Sequence, residues 1–342
     1  MRGMFAFVAA CTLGLSAPAA AQQPKPLFAA SDPIHITIQA PLSGIIRSRS
    51  SNPVQGTLTD PTGQPLPVAI SARGITRRSA DTCQFPPLRV QFTSPPPATS
   101  IFAGQRKLKL VTHCRSTPSF QQYVLLEYSA YKMYNLLTPH SFRVRLANID
   151  YRDDSGRPIV SRVGYFLEDL GDVAARNGTR ETHAPEIIPL SDLNPADAAR
   201  YTLFQHMIAN HDWSIRAGPA GSDCCHNAEL IGPLGPGTAI AIPYDFDFSG
   251  YVNAPYAMPP EQLHISSVRQ RVYRGYCTQN ADVLAAARQM RDARPQMIAA
   301  VTSTPGLEPG TQSRATRFLD SFFAEIASDE AVNANLLRRC VR

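Results

Sequence analysis

The order of elements along the chain predicts an α+β protein in two lobes, a β-rich N-lobe over residues 22–170 and a helical C-lobe over residues 171–342. Three observations predict it. Short β-branched and aromatic runs, separated by Gly, Pro and Ser turns, fill the first half. Apolar residues at helical spacing dominate the second. A set of acidic loops falls just past the junction between them.

The N-terminus reads as a targeting segment. Arg2 precedes an apolar run from Phe5 to Leu15, and Ala19-Ala20-Ala21 supplies a small-residue cleavage site, so residues 1–21 are expected to be a signal peptide. The apolar run is too short to span a bilayer. Small residues before Cys11 leave lipidation open as an alternative. No later segment is long and apolar enough to cross a membrane, and the mature chain is expected to be periplasmic or secreted.

Strands are expected at Ile34–Ala40, Val68–Arg73, Leu88–Phe92 and Lys107–Thr112, with a stiff loop at Ser94-Pro95-Pro96-Pro97. The first helix is placed at Phe120–Leu137, where Leu126, Ala130, Met133, Tyr134 and Leu137 keep helical spacing and Thr138-Pro139 ends it. Strands return at Phe142–Leu146 and Arg162–Leu167. Asn194-Pro195 starts a helix running to about Ala209. Further helices are expected at Ala281–Ala293 and Ser313–Ile326, with a shorter one near the C-terminus.

Composition agrees with a globular chain: 44% of residues are hydrophobic and 18% charged. The thirty prolines indicate long ordered loops. The net charge of +6 is dispersed, with small clusters at Arg73, Arg77 and Arg78 and at Arg269, Arg271 and Arg274. No basic stripe is interleaved with aromatics, which argues against nucleic acid as a partner and leaves room for an anionic ligand or envelope polymer. Beyond Cys11 there are six cysteines, an even number that suits an oxidising compartment and up to three disulfides. A bridge between the adjacent Cys224 and Cys225 would be strained, so each is expected to reach a distant partner.

The acidic loops carry the chemistry. Asn210-His211-Asp212-Trp213 is followed by His226-Asn227 and by Tyr244-Asp245-Phe246-Asp247-Phe248-Ser249. Phosphoryl transfer needs one carboxylate to orient an acceptor hydroxyl, and hard oxygen ligands to hold Mg²⁺ against phosphates. An Asp, an Asn and an Asp in this order meet that need. Together with the order of elements they describe a bilobal protein-kinase-like fold.

Several segments resemble the CotH (spore coat protein H) family of atypical, kinase-like secretory enzymes. Ala72-Arg73-Gly74-Ile75-Thr76-Arg77 is similar to that family's Arg-Gly-Asn-Ser-Ser turn, and Val163-Gly164-Tyr165-Phe166-Leu167-Glu168-Asp169 to its Gly-x-Tyr-x-x-x-Glu hinge strand. Asp212, Asn227 and Asp245-Phe246-Asp247 resemble its catalytic and metal loops. The likeness spans residues 68–255. It implies that Asp212 is the catalytic base and that Asn227 and Asp245 hold the metal, with Asp247 as an alternative ligand. Lys109, paired with Glu127, would hold nucleotide phosphates under the cover of Arg73 and Gly74, with Glu168 at the cofactor. The implied function is transfer of a phosphoryl group from Mg²⁺-bound ATP to a protein or envelope hydroxyl; the alternative is a non-catalytic kinase-fold binding protein of the envelope. Two departures stand out: Asp212 and Asn227 lie further apart than in protein kinases, and no Gly-x-Gly-x-x-Gly is present.

Two other chemistries compete. His206, His211, Cys224, Cys225 and His226 offer zinc's preferred nitrogen and sulfur ligands, although export favours disulfides over thiolates. A hydrolase built on Ser249 lacks the Gly-x-Ser-x-Gly elbow.

Overall fold

The computed structural model describes residues 23–342, so the expected signal peptide and Cys11 lie outside the described residues. After a short helix α1 (Pro26–Ala29), seven strands follow: β1 (Ile34–Gln39), β2 (Val54–Thr59), β3 (Pro65–Ala72), β4 (Leu88–Phe92), β5 (Lys107–Val111), β6 (Val144–Arg152) and β7 (Pro158–Leu167). Helix α2 (Leu42–Ser48) joins β1 to β2, and α3 (Pro118–Asn135) joins β5 to β6.

The strands close into a barrel in the order β1-β2-β3-β4-β5-β7-β6. All neighbours are antiparallel except at one seam, where β1 runs parallel to β6 from Ile34 opposite Ala147 to Gln39 opposite Arg152. Alternation fills the interior: Ile34, Ile36 and Ile38 point inward from β1, Val68 and Ile70 from β3, Leu88 and Val90 from β4, and Leu108 and Leu110 from β5. Gly164 permits the close approach of β7 to β5, since a Cβ there would sit 2.5 Å from the Val111 carbonyl oxygen.

This closure corrects the expected fold class. A bilobal kinase-like protein would carry an open sheet as its N-lobe, whereas here β1 and β2 complete a closed mixed barrel. The physical reason is the parallel β1–β6 seam, which satisfies two strand edges that would otherwise stay open.

Helix α3 is buried almost all round, which explains why Glu127 and Ser129 are buried along with Leu125, Tyr131 and Tyr134. One continuous apolar core joins α3 and the outer sides of β6 and β7 to the helices that follow. Those are α4 (Leu170–Arg176), α5 (Pro195–Met207), α6 (Asn280–Thr302), α7 (Pro309–Glu325) and α8 (Asp329–Asn335). Between α5 and α6 lies a two-stranded hairpin of β8 (Ala228–Ile231) and β9 (Ile240–Pro243). Asn194 caps α5 by accepting from the Asp197 amide at 3.1 Å. Helix α6 runs through Pro295, past the end expected from sequence, because Met297 and Val301 are fully buried beyond it.

Among the described residues there are three disulfides: Cys83–Cys114, Cys224–Cys225 and Cys277–Cys340. The second corrects the expectation that the adjacent cysteines reach distant partners; they bond to each other across a cis peptide. Three disulfides fit an oxidising compartment. Among the described residues, no helix is long and apolar enough to cross a membrane.

Candidate functional site

The β8–β9 hairpin brings three of the expected residues together. Asn227 immediately precedes β8 and Asp245 follows β9, and the Tyr244 amide donates to the Asn227 carbonyl at 3.2 Å. Both residues are left-handed, with φ of 50° for Asn227 and 62° for Asp245. Asn and Asp are the side-chain-bearing types that best tolerate this conformation, and such backbone gathers at functional sites. Asp212 reaches the same place from the loop after α5. Its Oδ2 accepts from Asn227 Nδ2 at 2.9 Å and its Oδ1 lies 2.7 Å from His226 Nε2. Asn227 Nδ2 also donates to the Asp212 carbonyl at 2.7 Å.

This cluster faces solvent. The Asp212, His226 and Asp245 side chains are each about 40% exposed, and Lys109 on the outer face of β5 is about a third exposed. The Asp212 hydrogen bond raises the pKa of His226, while the charges of both Asp212 and Asp245 favour its imidazolium. Lys109 lies 3.5 Å from Glu229 and 4.9 Å above the Tyr244 ring; burial lowers its pKa, and Arg73 and Asp245 are close enough to act on its charge. A cavity of about 220 Å³ adjoins Lys109, walled by Arg89 and Lys107 and by four acids, Glu168, Asp169, Glu181 and Glu229, so the expected cofactor residue Glu168 does border it.

A second acidic group lies behind this opening, and an arginine fills it. Glu127, Asp245 and Asp247 place carboxylate oxygens within 4.8 Å of one another. Arg77 sits among them: Nη1 and Nη2 donate to Glu127 at 3.0 and 3.3 Å, Nη2 to Asp245 at 3.0 Å, and Nε lies 3.2 Å from Asp247. The Tyr256 hydroxyl donates to Asp247 at 3.0 Å. One guanidinium among three carboxylates leaves the acids in excess. Burial therefore drives the Asp247 pKa up to about 8 despite Arg77, and Glu127 is also raised by burial. The same acids hold the Arg77 pKa well above its ordinary value, so the arginine stays charged.

These contacts decide which expected roles the residues present can fill. Glu127 pairs with Arg77, not with Lys109, because the turn at Thr76–Arg78 inserts its guanidinium first. Asp247 is engaged by Arg77 and Tyr256, and burial holds its pKa well above the ordinary carboxylate range, which disfavours the charged form that a metal ligand needs. Glu168 is buried and engaged by Arg176 at 3.1 Å and by the Arg143 amide at 2.9 Å, so it ties the end of β7 to α4. Magnesium does not fit the Glu127–Asp245–Asp247 group, where Arg77 already supplies the cation. At the opening, Asn227 turns its amide nitrogen to Asp212, and the Asp245 carboxylate is about 40% exposed while also held by Arg77.

The zinc ligands expected from sequence are dispersed. His206 Nε2 lies 2.8 Å from Glu325, His211 Nε2 lies 2.8 Å from the Gln270 carbonyl, and both thiols are oxidised. Ser249 is fully buried. Sequence reasoning missed Arg77 and Tyr256 as members of the site and offered His226 only as a zinc ligand; the clustering of Arg73, Arg77 and Arg78 was the available signal for the first. No protein-family model matches the chain, and no curated protein matches it.

Proposed function

We propose that the protein transfers a phosphoryl group from a Mg²⁺-bound nucleotide to a hydroxyl of a protein or envelope acceptor, in the periplasm or outside the cell. The observation that carries this reading is the meeting of Asp212, Asn227 and Asp245 at the open end of the hairpin, beside Lys109 and Arg73. Asp212 orients the acceptor hydroxyl and takes its proton; His226 and Asn227 fix its carboxylate. Asn227 and Asp245 offer the hard oxygens that suit Mg²⁺, whose bound charge would offset that of the phosphates. Lys109 and Arg73 hold the phosphates, and the adjoining cavity takes the rest of the nucleotide. A shift of thermal unfolding with Mg²⁺ plus ATP over Mg²⁺ alone, lost in Asp245→Ala, is the expected result. No shift with any nucleotide would refute it.

A second reading is favoured by Arg77, which already neutralises part of Asp245. In that reading the opening binds an anionic envelope ligand without turnover. Retained ligand binding with no phosphoryl transfer across nucleotides and metals distinguishes it.

A further inference from the structure

The turn at Thr76–Arg78 presents two arginines in opposite directions. Arg77 points inward to the three carboxylates, while Arg78 lines a shallow surface depression of about 510 Å³. Arg49, at the C-terminal end of α2, lines the same depression together with Ser50, Ser51, Asn52 and Ser79. Among the described residues, no carboxylate lines it. From the structure we infer that Arg49 and Arg78 form an oxyanion site, separate from the Asp212 cluster, that takes a phosphate-type group.

The state of Arg49 carries the argument. It has a left-handed backbone, φ 56°. Nη2 donates to the Gln84 carbonyl at 3.0 Å, whereas Nε and Nη1 are buried with no hydrogen-bond partner. Burial lowers the Arg49 pKa, and no acid offsets that effect. Guanidinium N–H groups rarely stay unpaired, and the fork they form matches phosphate geometry. Hydroxyl and amide side chains around the rim supply the remaining donors that a tetrahedral oxyanion accepts from. An oxyanion would meet Arg78 and the rim hydroxyls, and it would recruit the unpaired Arg49 N–H groups by turning that side chain outward.

The site does not depend on the phosphotransferase reading, and its test is read at its own residues. In the full chain, inorganic phosphate should shift the backbone amide resonances of Ser50, Ser51 and Asn52. Arg78→Gln should weaken that binding by about tenfold or more, the loss expected for one charge-assisted fork. Arg78→Lys should keep part of it, and Arg314→Gln on α7 should leave it unchanged; circular dichroism checks that each variant folds. Two sources of the oxyanion are then separated. Vesicles containing phosphatidylglycerol, but not phosphatidylcholine alone, should retain the protein through Arg78 if a lipid headgroup is the ligand. Shifts with phosphate and no vesicle binding mean a free ion. Unmoved Ser50–Asn52 resonances with no Arg78-dependent vesicle binding would overturn the site, as would equal phosphate binding in Arg78→Gln.

Discussion

Arg77 Nη2 lies 3.0 Å from the Asp245 carboxylate, a contact between residues 168 positions apart. It ties the turn after β3 to the loop after β9, and it joins an exposed carboxylate to two buried ones. The charge of the opening is therefore linked to the interior of the protein.

Removing the guanidinium tests that link. Arg77→Met should destabilise the protein by roughly 3–5 kcal/mol, because buried acids lose their cation. Chemical denaturation measures this. Arg77→Lys should recover little of the loss, since an ammonium cannot bridge Glu127, Asp245 and Asp247 at once. Wild-type stability in Arg77→Met would show that the network is dispensable.

The two exposed aspartates should differ in what they lose. Asp212→Asn is expected to keep nucleotide binding and to lower phosphoryl transfer by roughly 10²–10⁴-fold, the share of a general base. Asp245→Asn should lose Mg²⁺-dependent nucleotide binding as well. Calorimetry and a radiolabelled transfer assay read the two effects. Equal loss of binding in both variants would reverse the assignment.

Stability should fall as pH rises from 6 to 9. Between the ordinary carboxylate pKa and about 8, folded Asp247 holds a proton that the unfolded chain has released. The unfolded state thus binds fewer protons, and the slope approaches roughly 1.4 kcal/mol per pH unit. The His226–Asp212 pair acts in the same direction, since a raised histidine pKa stabilises below it and not above. Asp247→Asn should flatten the profile, and His226→Gln should remove a smaller part; urea titrations from pH 6 to 9 decide.

Alkylation without reductant should find none of the six cysteines beyond Cys11 free. Peptide mapping should then recover Cys83 with Cys114 and Cys277 with Cys340, and a single peptide holding oxidised Cys224 and Cys225. A crosslink from either of the adjacent cysteines to another segment would contradict the pairing.

Local signals made the strands β1, β3, β4, β5 and β7 and the helices α3, α5 and α7 legible in sequence. Strand β2 was not: it carries Gly56, and Leu58 is its one fully buried residue. Barrel closure left no local mark, because the pairing of Ile34 with Ala147 depends on a register set by the whole sheet. The end of α6 was misjudged at Pro295, where burial of Met297 outweighs the lost hydrogen bond. At the site, the spacing of the acidic loops pointed to Asp212, Asn227 and Asp245. The Arg77 network was hidden, since its members come from three separate segments, and only folding makes an arginine and three acids neighbours.

The parallel seam also sets an order of events. Every other strand pair in the barrel can form by joining chain that is near in sequence or already docked, but β1 must wait for β6. Closing so long a loop is entropically costly and comes late in folding. Until then two strands present bare edges to any neighbouring chain. A nascent molecule halted before Val144 would thus be a sticky one, and a helper that shields β1 during synthesis would act at the point of greatest risk.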